Sequence, residues 1–252
     1  MRTVVITLSV DELRVAAAVL DAAVPGLVEQ YATAELGADA AAARSLVARE
    51  LATPGADEPL AIELGPLLVA VLGPLCAPDS VLELELDAGR AATLRCAEIR
   101  DAAGQVRVLR ETSPDIWCLD EQPVVADALA TVQPLAAGDG GVVELGLAEH
   151  AKLEELLVDE RHDDVRTLLA ARGSFLAQAF TDPSRTLGRL TRVSRQGDAI
   201  VLEGIAWVSA PCGTWVIVDA DPDDELASTT FTPVEPAGLA ADIDAVLTGE
   251  SS

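Results

Sequence analysis

Cations are scarce in this chain. Of its 252 residues, 17 are Lys or Arg against 42 Asp or Glu, a formal charge of −25 at pH 7, and Lys152 is the only lysine. A field of that sign repels phosphate backbones and anionic lipid headgroups, so neither nucleic acid nor a membrane surface is expected as a partner. Histidine is almost missing, with only His150 and His162, and the four cysteines, Cys76, Cys96, Cys118 and Cys212, show no Cys-x-x-Cys spacing. A structural zinc site needs closely paired ligands of these types, so buried free thiols and no metal are the expectation. No unbroken apolar run approaches the ~20 residues that span a bilayer. The nearest, PLAIELGPLLVAVLGPLCAP at 59–78, is interrupted by Glu63, Pro66, Gly73 and Pro74; it reads as a buried helix, with an interfacial segment as the alternative. Asp11 and Glu12 fall too early for the apolar core of a signal peptide, so the expected location is the cytoplasm. The nucleophile-elbow, phosphate-loop and dinucleotide glycine motifs are missing too, and neither an enzyme nor a cofactor is indicated.

What is present is a chain half of whose residues are apolar, at a length that suits one sizeable domain or two of about half that size. ITLSVDELRVAAAVLDAAV (6–24) reads as a short strand entering a helix, with Ser9 as N-cap and Glu12 completing a capping box. Leu46, Val47 and Leu51 recur at helical spacing ahead of the Pro-rich helix. From Val81 the period changes to two. VLELELDA, ATLRCAEIRD, QVRVLRET and DIWCLDEQ read as four strands of an antiparallel meander, with DAAG turning a hairpin at 101–104. Pro123 then opens a helix with a stripe of Val124, Val125, Ala128, Leu129 and Val132.

AAGDGG at 136–141 marks a boundary, and the pattern begins again beyond it. VELGLAEHAKLEELL (143–157) lies on ITLSVDELRVAAAVL (6–20) without a gap, matching Leu8 with Leu145, Glu12 with Glu149 and Leu20 with Leu157. PVEPAGLAADIDAVL (233–247) stands where DEQPVVADALATVQPL (120–135) stood, and the hairpins correspond at a constant offset, Ile99 with Val208, Gly104 with Gly213, Val106 with Trp215 and Val108 with Ile217. The expected fold class is therefore α/β (α+β): a duplicated unit whose antiparallel meanders form a central sheet flanked by helices, with pseudo-two-fold symmetry.

Chemistry-bearing residues are few. His150 sits four residues before Glu154, the spacing of a helical acid–base pair, but also that of a solvated helix face. DERHDD at 159–164 sets His162 among carboxylates, either a cation contact or a polar helix end. DADPDDE at 219–225 carries the charge of a calcium loop without its turn glycine or its distant bidentate glutamate. Arg185, Arg189, Arg192 and Arg195 form the one basic concentration, for pairing within the chain or with a partner's acidic patch.

The opening TLSVDELRV, the duplicated helix-and-sheet body, the hairpin W-V-S-x-x-x-G-x-W-V-I-V at 207–218 and the closing FTPV strand and helix together resemble the EspG family, cytosolic chaperones of actinobacterial type VII secretion. The resemblance implies a single domain over 1–252 built of two repeats, about 1–137 and 140–250. It also implies a cytoplasmic role: binding a helical PE/PPE-type heterodimer and keeping its aggregation-prone tip covered until export. Trp207 and Trp215, facing each other across the Pro-Cys-Gly turn, would then support or line the partner-binding side, or simply be core. If both tryptophans occupy the core face, period-two alternation leaves Val208 and Val216 apolar and accessible as partner-binding positions. Two other readings stay open: a small-molecule-binding or enzymatic domain with a pocket between the halves, and a homo-oligomer whose apolar patch is self-complementary.

Overall fold

Each of the two runs recognised in the sequence passes from an opening strand through helices to a four-strand meander and a closing helix in a computed structural model, which describes residues 5–31, 37–55, 61–89, 93–131, 136–138, 140–197, 199–219 and 228–249; the first run has in addition the short strands and the helix that precede its meander. The first run is β1 (Ile6–Ser9), α1 (Val10–Val19), α2 (Gly26–Glu29), α3 (Ala38–Ala48), the short strands β2 (Ala52–Pro54) and β3 (Ile62–Leu64), α4 (Pro66–Cys76), the meander β4 (Pro78–Asp87), β5 (Thr93–Asp101), β6 (Val106–Ser113) and β7 (Ile116–Asp120), and α5 (Val125–Thr131). The second is β8 (Val143–Gly146), α6 (Leu147–Val158), α7 (His162–Leu169), α8 (Ser174–Thr181), the meander β9 (Thr186–Gln196), β10 (Ala199–Ala210), β11 (Gly213–Val218) and β12 (Ser228–Pro233), and α9 (Pro236–Thr248). β2 and β3 pair with each other, and the other ten strands form one sheet in the order β1-β7-β6-β5-β4-β9-β10-β11-β12-β8.

That order reads alike from either edge. Each run contributes a short opening strand beside the last strand of its own meander, so β1 corresponds to β8, β7 to β12 and β4 to β9. The edge ladders agree residue by residue: Ile6 opposes Leu119 and Ser9 opposes Ile116, as Val143 opposes Phe231 and Gly146 opposes Ser228, all antiparallel. The gapless match of 6–20 with 143–157 holds, because β1 and β8, and α1 and α6, begin at equivalent residues.

The constant hairpin offset does not hold. β5 and β6 pair as Ile99 with Arg107 and Arg100 with Val106, whereas β10 and β11 pair as Val208 with Trp215 and Ala210 with Gly213. Asp101 N–H donates to the Gln105 carbonyl at 3.1 Å around residues 102–104, with Gly104 at φ +78°. The second hairpin turns on Pro211 and Cys212 alone. A three-residue loop against a two-residue loop slips the correspondence by one, and one residue in a strand exchanges the faces.

The chain forms two compact units, each with its own apolar core: Met1–Leu84, Leu94–Ala128 and Arg192–Leu202 make one, and Glu85–Thr93, Leu129–Thr191 and Glu203–Ser252 the other. In the first unit Leu8, Leu13, Leu46, Leu68, Leu72 and Trp117 are fully buried together. α4 is amphipathic rather than wholly buried, since Leu67 and Val69 face outward. The capping box at α1 is formed: Glu12 N–H donates to Ser9 Oγ at 3.1 Å and Ser9 N–H to Glu12 Oε2 at 2.9 Å. The buried Glu12 carboxylate also accepts from Ser45 Oγ and from Arg49 Nη1, both at 2.6 Å, so one charge ties α1 to α3 with its burial cost offset by several donors. Glu98, buried on β5, accepts from the Val124 and Val125 N–H groups and so caps α5.

In the second unit Leu145, Val165, Leu169, Leu176, Phe180, Val208, Trp215 and Phe231 form the corresponding core. The stretch read as a boundary at 136–141 is tied down where it is described: Gly138 N–H donates to the Val234 carbonyl at 3.1 Å, and Thr214 Oγ1 to the Ala136 carbonyl at 2.8 Å. A Cβ on Gly138 would sit 2.3 Å from the Thr214 carbonyl oxygen, so only glycine admits the approach.

The two units differ at one cap. Gly146, at φ −64° and ψ 160°, has the N-cap geometry of Ser9 at φ −70° and ψ 162° but no side chain to use it. Ser9→Ala should lower unfolding stability by about 1 kcal/mol, and Gly146→Ser should raise it by a few tenths of a kcal/mol. Urea denaturation followed by far-UV circular dichroism checks both signs.

Candidate partner-binding surface

The tryptophan hairpin lies in the interior. Trp207 opposes Val216, and Val208 opposes Trp215, so alternation puts the two indoles on opposite faces of the sheet rather than facing each other. Trp215 joins Val208, Ala210 and Phe231 in the helix-covered core of the second unit. Trp207 is buried on the other face against Gly188, where any Cβ would lie 2.0 Å from the indole ring. The expectation that Val208 and Val216 are both accessible is corrected: Val208 is 0% exposed and Val216 is half-buried. A shared face for the tryptophans was the premise, and the two-residue turn removes it.

The histidines are not brought together. His150 packs edge-on against Phe231, with ring centroids 6.3 Å apart at 63°. His162 begins α7, its Nδ1 buried without a hydrogen-bond partner among the described residues, and the acids around it pair with neighbouring arginines, Asp163 with Arg166 at 2.9 Å and Asp164 with Arg161 at 2.7 Å. Among the described residues no three His, Cys, Asp or Glu side chains assemble as a metal-ligand set. Of DADPDDE, Asp219 pairs with Arg189 at 2.7 Å, and 220–225 fall outside the described residues. Arg185 pairs with Asp87 at 3.5 Å. Two of the four arginines, Arg185 and Arg189, are therefore committed to ion pairs inside the chain, and Arg195 has no ion pair among the described residues.

All four cysteines are free, yet they are not uniformly buried: Cys96 and Cys118 are interior, Cys212 is half-buried and Cys76 is exposed. Burial, and next the Glu98 carboxylate, push the Cys96 thiol up to about 12, which keeps it protonated and unreactive at neutral pH. Burial likewise raises Cys212, whose Sγ donates to the Phe175 carbonyl at 3.6 Å.

Each unit carries a surface cavity. In the second unit α7 and α8 enclose about 440 Å³ lined by Arg166, Ser174, Gln178, Thr181 and Asp182. One of its polar groups is already engaged: Arg166 Nε donates to Thr181 Oγ1 at 3.2 Å and Arg166 Nη1 to Asp163 at 2.9 Å. In the first unit a groove of about 330 Å³ lies between the α1–α2 connection, the end of α4, the start of β4, the end of β9 and the start of β10. Val24, Leu75, Val81 and Ile200 line it. Beside it β10 stays bare: Ile200 is 74% and Leu202 71% exposed. These two share a face with Val208 and Ala210, which are covered. The stretch AIVLEG was legible as an apolar strand, but its unbroken apolar run at 199–202 is the pattern of a strand covered on both faces, so nothing in the sequence signalled that Ile200 and Leu202 are bare.

Among the described residues no helix is long and apolar enough to cross a membrane. No protein-family model matches the chain, and no curated protein matches it. A solved structure does: the Mycobacterium tuberculosis type VII secretion system chaperone EspG5 in complex with a PE25-PPE41 dimer is similar at a TM-score of 0.53 and 13% sequence identity, over 97% of this chain and 96% of that one. The fold is therefore EspG-like from end to end.

Val208→Asp should lower stability by more than about 3 kcal/mol, because the carboxylate enters a closed apolar core without a partner. Ile200→Asp should leave the thermal midpoint nearly unchanged; differential scanning calorimetry separates the two. Native alkylation with iodoacetamide should modify Cys76 ahead of Cys212 and spare Cys96 and Cys118 until denaturant is added, as read by peptide mass spectrometry.

Proposed function

We propose that the chain is a cytoplasmic chaperone or adaptor that binds a helical heterodimer of the PE/PPE kind and keeps it soluble for type VII secretion, with 1–252 acting as one domain of two repeats, about 1–137 and 140–250. The observation that carries this reading is the extent of the fold match: 97% of this chain on 96% of a chaperone whose structure includes a PE25-PPE41 dimer. Composition supports it physically. A protein that holds an aggregation-prone partner needs apolar contact area together with high solubility, and a charge of −25 beside bare positions such as Ile200, Leu202 and Phe175 provides both.

In this reading the hairpin residues Trp207, Val208, Trp215 and Val216 act as the stiff support behind the partner-binding face. Interior side chains hold a sheet in one shape, and contact falls to the exposed positions around them. A small-molecule or enzymatic role would draw on the α7–α8 cavity, where the Arg166 guanidinium is already engaged by Thr181 and Asp163.

Mixing the purified chain with PE/PPE-type heterodimers from a genome that encodes an EspG-like protein should yield a stable ternary complex by size-exclusion chromatography, with a saturable calorimetric isotherm. His150→Ala and His162→Ala should bind as the parent does. Absence of binding across such a panel overturns the reading, and so does loss of capture in the folded histidine variants.

A further inference from the structure

We infer that the groove of the first unit is a docking site for a basic amphipathic helix of a partner protein, a side chain of its apolar face entering between α4 and β10 while its Lys or Arg residues meet the rim. The floor is apolar and open on one side, with Leu75 buried at its base and Ile200 standing 74% exposed at its mouth. A volume of about 330 Å³ suits one or two apolar side chains. An uncovered Ile200 and Leu202 on a strand whose later residues of the same face are buried is an apolar face awaiting a cover.

Charge selects the occupant. Asp21, Asp79 and Glu83 line the groove against the single guanidinium of Arg195. Glu83 already accepts from the Leu27 N–H at 3.2 Å, whereas Asp21 and Asp79 have no ion-pair partner among the described residues. Three carboxylates around an apolar floor, on a chain of net charge −25, attract a cationic partner and repel a second copy of this chain. The inference rests on the proposed function only in taking the ligand to be a protein.

Cys76 lines the same groove and is exposed, so it reports on occupancy. In a Cys212→Ala background, bimane attached to Cys76 should shift its emission saturably on addition of a Leu/Lys amphipathic helical peptide, and not with the Leu/Glu analogue. Ile200→Ser should weaken the peptide by about tenfold with an unchanged thermal midpoint. Asp79→Asn and Asp21→Asn should weaken it further and flatten its salt dependence; asparagine keeps the backbone of Asp21, at φ +53°, accessible. Equal binding of both peptides, or indifference to Ile200→Ser, overturns the site. Self-association in sedimentation equilibrium that Ile200→Ser abolishes also overturns it, in favour of a second copy. Heterodimer capture that is equal in parent and groove variants overturns the site while leaving the chaperone reading intact; saturable peptide binding without heterodimer capture does the reverse.

Discussion

Pleat parity in one long antiparallel sheet governs what the rest of this molecule can do. Successive residues of a strand point to opposite faces, so the register of each pair decides which side chains the helices cover and which remain bare. At the β10–β11 hairpin the turn is two residues long, and Val208 is thereby paired with Trp215. Everything about that hairpin follows: Trp215 under the helices, Trp207 against Gly188 on the other side, and no accessible valine between two core tryptophans.

A few carboxylates, Glu12 and Glu98 buried and Glu83 half-buried, add to the apolar contacts that hold the helices. Glu12 gathers Ser9, Ser45 and Arg49, Glu98 caps α5, and Glu83 accepts from the first turn of α2. Each offers an anion where backbone N–H groups or a guanidinium can satisfy it, which makes a buried charge tolerable and fixes one arrangement. The second unit uses the device more sparingly. Glu149, aligned with Glu12, pairs with Arg172 at the surface, and its helix begins at Gly146 without a side-chain cap. The halves thus share a topology without sharing their stabilising chemistry.

The thiol pushed furthest from its ordinary value, Cys96, is moved chiefly by burial beside a structural carboxylate and is thereby made inert. The features turned outward are apolar and acidic: Ile200 and Leu202 on β10, Phe175 on α8, and the carboxylates around the first unit's groove.

The sequence by itself determined the main landmarks of the fold and the nature of the surface, because these depend on local periodicity and composition. The capping box at Ser9 and Glu12, the four-strand meander after Val81 and the repeat of 6–20 at 143–157 are all short-range signals, and they fold as read. The excess of carboxylates is a count and needs no structure. Tertiary structure alone decided which apolar residues were covered. A loop of three residues in one hairpin and two in the other exchanges faces without changing the apolar pattern, and the helices that cover Val208 leave Ile200, eight positions earlier on the same face, bare. Burial depends on where distant elements land, and no local pattern in the chain encodes that.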